Sequence, residues 1–301
     1  VALDRQEKTG IRQGDTRVGR VVSYYAVTFF ATHALVLAYL RSGGSFRRLD
    51  SFVFASSAML VPGLVALCLT RFVFREPVAL TLGFSLRFNR WFLVAWLLPP
   101  LLSLVVLRVG LAMPGTSYSA QLAGLSARFE LSAEQLRSLA PSIGSLPPVA
   151  SLLVQGILLG PTLSAISGLG EEAGWRGLLH HELSGLGFWR ESWMIGLLWG
   201  GWHLPLVFEG YGFPNHPLAG ACVLLAFTLL AAPLYTFLRI RARSTIACAI
   251  FHGSFGASML VTFAPVAGGS ELTVGLLAVP GLLIMLLANV VLACLPVSYR
   301  A

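Results

Sequence analysis

Eight apolar stretches, each close to the ~20 residues that carry a helix across a bilayer, divide this 301-residue chain: 21–40, 52–74, 92–113, 148–170, 191–208, 218–238, 244–266 and 273–296. Inside lipid every backbone N–H and C=O must find its partner within the segment, so runs of this length and composition are read as helices. The expected fold is all-α, a polytopic membrane helix bundle of about eight transmembrane helices. Residues 1–20 are read as a basic cytoplasmic segment and 21–301 as a single integral-membrane helical domain. The connectors are short except 75–91 and 114–147, which leaves no room for a second, soluble domain.

Composition enters as a check. Hydrophobic residues make up 56% of the chain and charged residues 11%, well under the roughly 25% of soluble domains. A net charge of +8 would suggest nucleic acid in a soluble protein, but here the basic residues fall between apolar runs. With the N-terminus inside, fifteen Lys and Arg lie in inner segments and five in outer ones, so both termini are expected in the cytoplasm. Nearly all the basic residues are arginines, the lysine at Lys8 standing alone, which suggests GC-rich coding and a prokaryotic cell membrane. The first run follows a basic N-terminus but is long enough to be a retained signal anchor. Cys68, Cys222, Cys248 and Cys294 sit inside apolar runs without metal spacing and are read as small core residues.

The long outer loop holds QLAGLSARFELSAEQLRSLA, in which Ser132 and Gln135 can form a capping box. The leucines and Phe129 recur near helical spacing, as in a helix lying on the membrane surface; a lid or substrate guide is the alternative.

Against this background ISGLGEEAGWRG, residues 166–177, stands out. An ionisable side chain near a bilayer centre costs about 3 kcal/mol on insertion scales, so it needs pairing or an aqueous cavity. On a continuing helix Glu172 and Arg176 are one turn apart and can pair, while Glu171 points about 100° away and is left for chemistry. An ion pair at a helix end is the plainer reading. His203 in the fifth run and His252 in the seventh count against it, because all three lie ~12–15 Å from the same surface at 1.5 Å per residue.

GxxxG spacings at Gly156–Gly160 and Gly196–Gly200 would let helices approach closely; Gly200, Gly201 and Gly253 could instead leave room for a peptide backbone. Pro161 and Pro205 are candidate kinks. HELSG at 181–185 lacks the second histidine of a zinc-protease HExxH, and FGASM at 255–259 has Met259 where a rhomboid-type serine site has glycine. His180 and His181 are read as solvated loop residues, His216 as an outer-loop residue and His33 as a packing residue.

These residues together resemble the CAAX prenyl protease and bacteriocin-processing (CPBP, or Abi) intramembrane proteases. The first family motif, EExxxR, matches Glu171, Glu172 and Arg176 within EEAGWRG. The second, FxxxH, matches as Trp199 and His203; the third is His252, with Gly256 where the family often has asparagine. The resemblance covers about 148–260, and eight spans match the type II CAAX protease architecture. It implies hydrolysis of a peptide bond in the membrane near its cytoplasmic face. Glu171 would be general base, His203 would orient the water, and His252 would stabilise the oxyanion, with Glu172, Arg176 and Trp199 in support. Ser254 or Ser258 would be the substitute donor for the missing asparagine, although Ser254, two residues from His252, projects from another helical face.

The resemblance also admits a zinc ion on Glu171, His203 and His252, the ligand count of a catalytic zinc site. The metal-free form is favoured because the sequence offers neither histidine an obvious carboxylate partner. The expected partners are a peptide or protein substrate, free or membrane-anchored, and the lipid bilayer, with no nucleic acid. A CAAX tail and a leader peptide both remain open as substrates. A non-catalytic peptide-binding or bacteriocin-immunity protein is the alternative, and a proton-coupled transporter lacks the paired half-helix repeats expected of it.

Overall fold

The computed structural model describes residues 2–48, 50–132, 134–135 and 146–297. The chain is an all-α membrane bundle. Helix α1 runs Ala2–Arg41, α2 Asp50–Val73, α3 Arg90–Gly110, α4 Pro148–Leu159 and α5 Leu163–Glu172. They are followed by α6 Phe188–Phe208, α7 Pro217–Ala242, α8 Thr245–Ser258 and α9 Val279–Ala293. Local chemistry sets several starts. The Asn89 side chain accepts the Trp91 N–H and the Ser244 side chain accepts the Ile246 N–H, while α4, α7 and α9 open on proline in the first turn, where its missing N–H costs nothing.

Each of the eight apolar stretches is helical, but they are not equivalent. Among the described residues five helices are long and apolar enough to cross a membrane, or six if α4 and the helix after it count as one span bent by 59°. The break falls at Gly160–Thr162, around Pro161. Helix α6 has the length, 21 residues, but its four tryptophans, His203, Arg190 and Glu191 dilute its apolarity. Helix α9 has 15 residues, about 22 Å at 1.5 Å per residue, because the chain before it is occupied by loops and by β2 (Val266–Ala267). That strand pairs antiparallel with β1 (Ser117–Tyr118), Ser117 opposite Ala267.

Burial orders the bundle. In α7 67% of the most apolar window is covered by other helices, against 22% in α1 and 28% in α2, so α7 is central and the first two helices face lipid along most of their length. Helix α8 packs along α5 and α3, and α6 along α7. Small residues set these distances. A Cβ on Gly156 or Gly160 would fall 2.5 Å from Ser258 Oγ or 2.7 Å from Ser254 Oγ of α8, and one on Gly196 2.8 Å from the Thr228 carbonyl of α7. Gly200 and Gly253, considered above as room for a peptide, are likewise filled: Gly200 abuts Thr228 and Leu225, and Gly253 abuts the Gly160 carbonyl at the α4–α5 break.

The four cysteines are free, but only Cys248 is in the core; Cys68, Cys222 and Cys294 are exposed on helices whose outer faces meet lipid. The Ser132–Gln135 capping box is formed, with Ser132 N–H donating to Gln135 Oε1 at 2.9 Å and Gln135 N–H to Ser132 Oγ at 3.1 Å. Of the surface helix expected over 121–140, the described part holds only the short turn Ala123–Ser126, with Leu122 and Leu125 buried in the core and not laid on a membrane surface; residues 133 and 136–140 lie outside the described residues.

Candidate active site

The acidic motif sits where the winding changes. Helix α5 ends at Glu172, and Ala173–Leu179 continues as a π-helix, a wider turn that recurs at functional sites. Glycines allow it to be enclosed. A Cβ on Gly170 would lie 2.5 Å from the Met59 carbonyl of α2, and one on Gly174 would overlap the Tyr24 hydroxyl of α1. The freed Arg176 carbonyl accepts Arg239 Nε of α7 at 3.0 Å and Thr245 Oγ1 of α8 at 3.3 Å. The turn is thus anchored by the two helices that flank it.

The two glutamates, at most 1% exposed, have different partners. Glu172 Oε1 accepts Arg176 Nη1 at 3.1 Å and His252 Nδ1 at 2.8 Å. The Arg176 guanidinium lies 4.7 Å from the Trp199 ring centroid and 4.2 Å from that of Tyr235, a cation–π sandwich that offsets part of the cost of burying the charge. Glu171 is not left free, as the helix geometry had suggested. Its Oε2 accepts two indole N–H groups, from Trp175 at 3.1 Å and Trp199 at 2.7 Å. Both bonds fall on one oxygen, so Oε1 keeps its acceptor capacity.

The histidines gather around Trp199, His252 with ring centroids 5.8 Å away and His203 6.1 Å away. His203 Nδ1 lies 2.9 Å from the Trp199 carbonyl; a carbonyl can only accept, so Nδ1 carries the proton and Nε2 the lone pair. His252 donates Nδ1–H to Glu172, a carboxylate partner the sequence did not reveal, which corrects the ground on which a metal-free site was preferred. Ser254 is fully buried against Gly160, and its Oγ makes no hydrogen bond among the described residues. Gly256, one turn after His252, is exposed, and a Cβ there would meet nothing within 4 Å.

Zinc would need Glu171, His203 and His252 as one ligand set. Their chemistry suits it, since Nδ1 of both histidines is held by a hydrogen bond as in metal-bound imidazoles. Among the described residues no three His, Cys, Asp or Glu side chains stand together as a metal-holding group.

Several participants carried no motif. Tyr235 stacks edge-on to Trp199 and His252, Tyr211 lies parallel to His203 at 6.3 Å, and Trp202 bonds Thr32 Oγ1 of α1 at 3.0 Å. Trp175 lay inside the quoted motif, where its spacing of four from Glu171 was the available signal. His180 is not a solvated loop residue. It lies on the helical turn His180–Leu183 and contacts the fully buried Glu191 at 2.5 Å. His181 is half exposed near Glu76. His33 packs on Phe29, its Nδ1 donating to the Phe29 carbonyl at 2.6 Å, and His216 pairs with Glu271.

No curated protein matches the chain. The family model described as type II CAAX prenyl endopeptidase Rce1-like matches residues 153–258, a span that runs from α4 to the end of α8 and contains both glutamates, Arg176, His203 and His252, and over this core the chain is similar to the CPBP/CAAX proteases.

Proposed function

We propose that the chain is an intramembrane endopeptidase that hydrolyses a peptide bond near the cytoplasmic membrane face with water activated by Glu171 and His203. The observation that carries this reading is the pair of indole N–H bonds on Glu171 Oε2, which orient a buried carboxylate while leaving Oε1 for a proton. Water, held by the His203 Nε2 lone pair, gives a proton to Glu171 and its oxygen attacks the carbonyl carbon. The resulting oxyanion is stabilised by His252 as an imidazolium, for which Glu172 is the counter-ion. Glu171 then returns the proton to the leaving amine as the C–N bond breaks. No metal is required.

In this reading all eight helical segments cross or enter the membrane, α9 and the bent α4–α5 pair included, and both termini are cytoplasmic in a prokaryotic cell membrane. The substrate is a peptide or protein held at the membrane, a CAAX-type tail or a leader peptide. The test is cleavage of a membrane-anchored reporter peptide in proteoliposomes. Glu171→Gln should lower turnover by about 10²–10⁴-fold, the usual contribution of a general base, and undiminished turnover overturns the assignment.

The open position at Gly256 favours a second reading, a peptide-binding or bacteriocin-immunity protein without hydrolysis. Protection that survives Glu171→Gln and His203→Ala at normal membrane levels would select it.

A further inference from the structure

The chain carries a second polar feature at the shared end of α3 and α7, outside the Glu/His cluster. A cavity of about 730 Å³ is walled by Arg87, Arg90, Arg241 and Arg243, with Phe88 and Trp91 beside them. Among the described residues no acidic side chain lines it. Four guanidinium groups around one opening repel one another, and an anion placed between them turns that repulsion into attraction.

The walls are pre-ordered. Asn89 accepts the Trp91 N–H at 3.0 Å and donates Nδ2–H to the Ala242 carbonyl at 3.1 Å, which ties the start of α3 to the end of α7. Ser244 Oγ donates to the Ser85 carbonyl at 2.6 Å. Arg241 is held by a 2.7 Å bond from Nη2 to the Pro296 carbonyl and by the Phe237 ring, 5.1 Å from its guanidinium carbon. Its Nε is buried and has no hydrogen-bond partner among the described residues. Arg243 adopts the left-handed backbone region, φ 53°, which a non-glycine residue enters at a cost; there it forms the turn between α7 and α8. The 21-residue α3 adds the positive end of its dipole at the same place.

The surroundings distinguish a lipid from a soluble anion. Leu86 and Phe88 are 65% and 71% exposed at the ends of two helices that cross the membrane, so apolar side chains flank the arginines where acyl chains meet headgroups. A free phosphate would use the guanidiniums and leave those two side chains in water. We infer that this arginine-walled cavity binds the phosphate headgroup of an anionic phospholipid.

The experiment uses the full chain in phosphatidylcholine nanodiscs with graded phosphatidylglycerol, reading retained phosphatidylglycerol by native mass spectrometry and Tm by scanning fluorimetry. Phosphatidylglycerol should be retained and should raise Tm, and inorganic phosphate at equal concentration should do neither. Arg87→Gln with Arg90→Gln, both exposed positions, should weaken retention about tenfold, as losing two arginine–phosphate contacts implies. Arg71→Gln with Arg75→Gln removes the same charge outside the cavity and should leave retention unchanged. Equal retention by the cavity variant and the wild type, equal loss in the Arg71/Arg75 control, or a Tm rise with inorganic phosphate alone would each overturn the inference.

Discussion

Trp199 Nε1 donates to Glu171 Oε2 at 2.7 Å, and this bond joins the acidic motif to the helix that carries His203. The family pattern has phenylalanine at this position, which can fill the space and cannot donate. Trp199→Phe keeps an aromatic ring for Arg176 to stack on but removes one of the two donors on Oε2. One hydrogen bond to a charged group is worth about 1.5–3 kcal/mol, so kcat on a reporter peptide should fall roughly ten- to a hundredfold with KM little changed. Trp175→Phe, which removes the other donor, should act in the same direction. An unchanged kcat in both variants would show that neither indole positions the carboxylate.

The two adjacent glutamates should separate in a stability measurement. Glu172 is the counter-ion of fully buried Arg176 and of His252, and breaking a buried pair by removing one partner typically costs about 3–5 kcal/mol. Glu172→Gln should therefore lower Tm strongly. Glu171 meets only indole donors, and a glutamine oxygen can accept both, so Glu171→Gln should be inactive yet nearly as stable as wild type. Equal Tm loss in the two variants would contradict this division of roles.

What the sequence made legible follows from the cost of charge in lipid. Glu171, Glu172, Arg176, His203 and His252 stand out because nothing nearby in the sequence solvates them, and helical spacing is enough to pair Glu172 with Arg176. The π-wound turn was not legible, since it is fixed by what Gly170 and Gly174 pack against on α1 and α2. Nor were the indole donors: Trp199 reads as a bulky aromatic until its N–H is seen to face a carboxylate from another helix. The shortness of α9 was hidden for a related reason, because the apolar residues before it wrap against the outer loops instead of extending the helix.

Two glycines, one enclosed and one exposed, should respond oppositely to a side chain. A Cβ on Gly170 would fall 2.5 Å from the Met59 carbonyl and 2.6 Å from Leu60 Cα. These are backbone atoms that cannot yield without separating α2 from the motif. Gly170→Ala should cost about 1–3 kcal/mol, as overpacking does, with loss of Tm as the readout. At Gly256 a Cβ meets nothing within 4 Å, so Gly256→Asn should fold normally and add an amide one turn from His252. If that amide reaches the oxyanion, kcat should rise by up to about 10²-fold, the worth of one such donor. A normal fold with no gain would place the oxyanion elsewhere.

On the opposite end of the molecule from the arginine cavity, Glu271 clasps two loops: it accepts the Asn215 N–H at 2.8 Å and His216 Nδ1–H at 3.1 Å. Burial alone would raise its pKa, but hydrogen bonds from its own backbone N–H, from Asn215 and from His216 outweigh it and hold the carboxyl below its ordinary value of 4.5. A carboxyl depressed in the fold contributes stability that is present above the ordinary value and is lost as pH falls through the lower folded one. Wild-type Tm should therefore drop between about pH 5 and pH 3 by more than that of Glu271→Gln, which has no proton to gain. The gap between the two proteins should be widest near neutral pH and close on acidification. Parallel Tm curves across that window would show that the clasp is not ionised in the folded state.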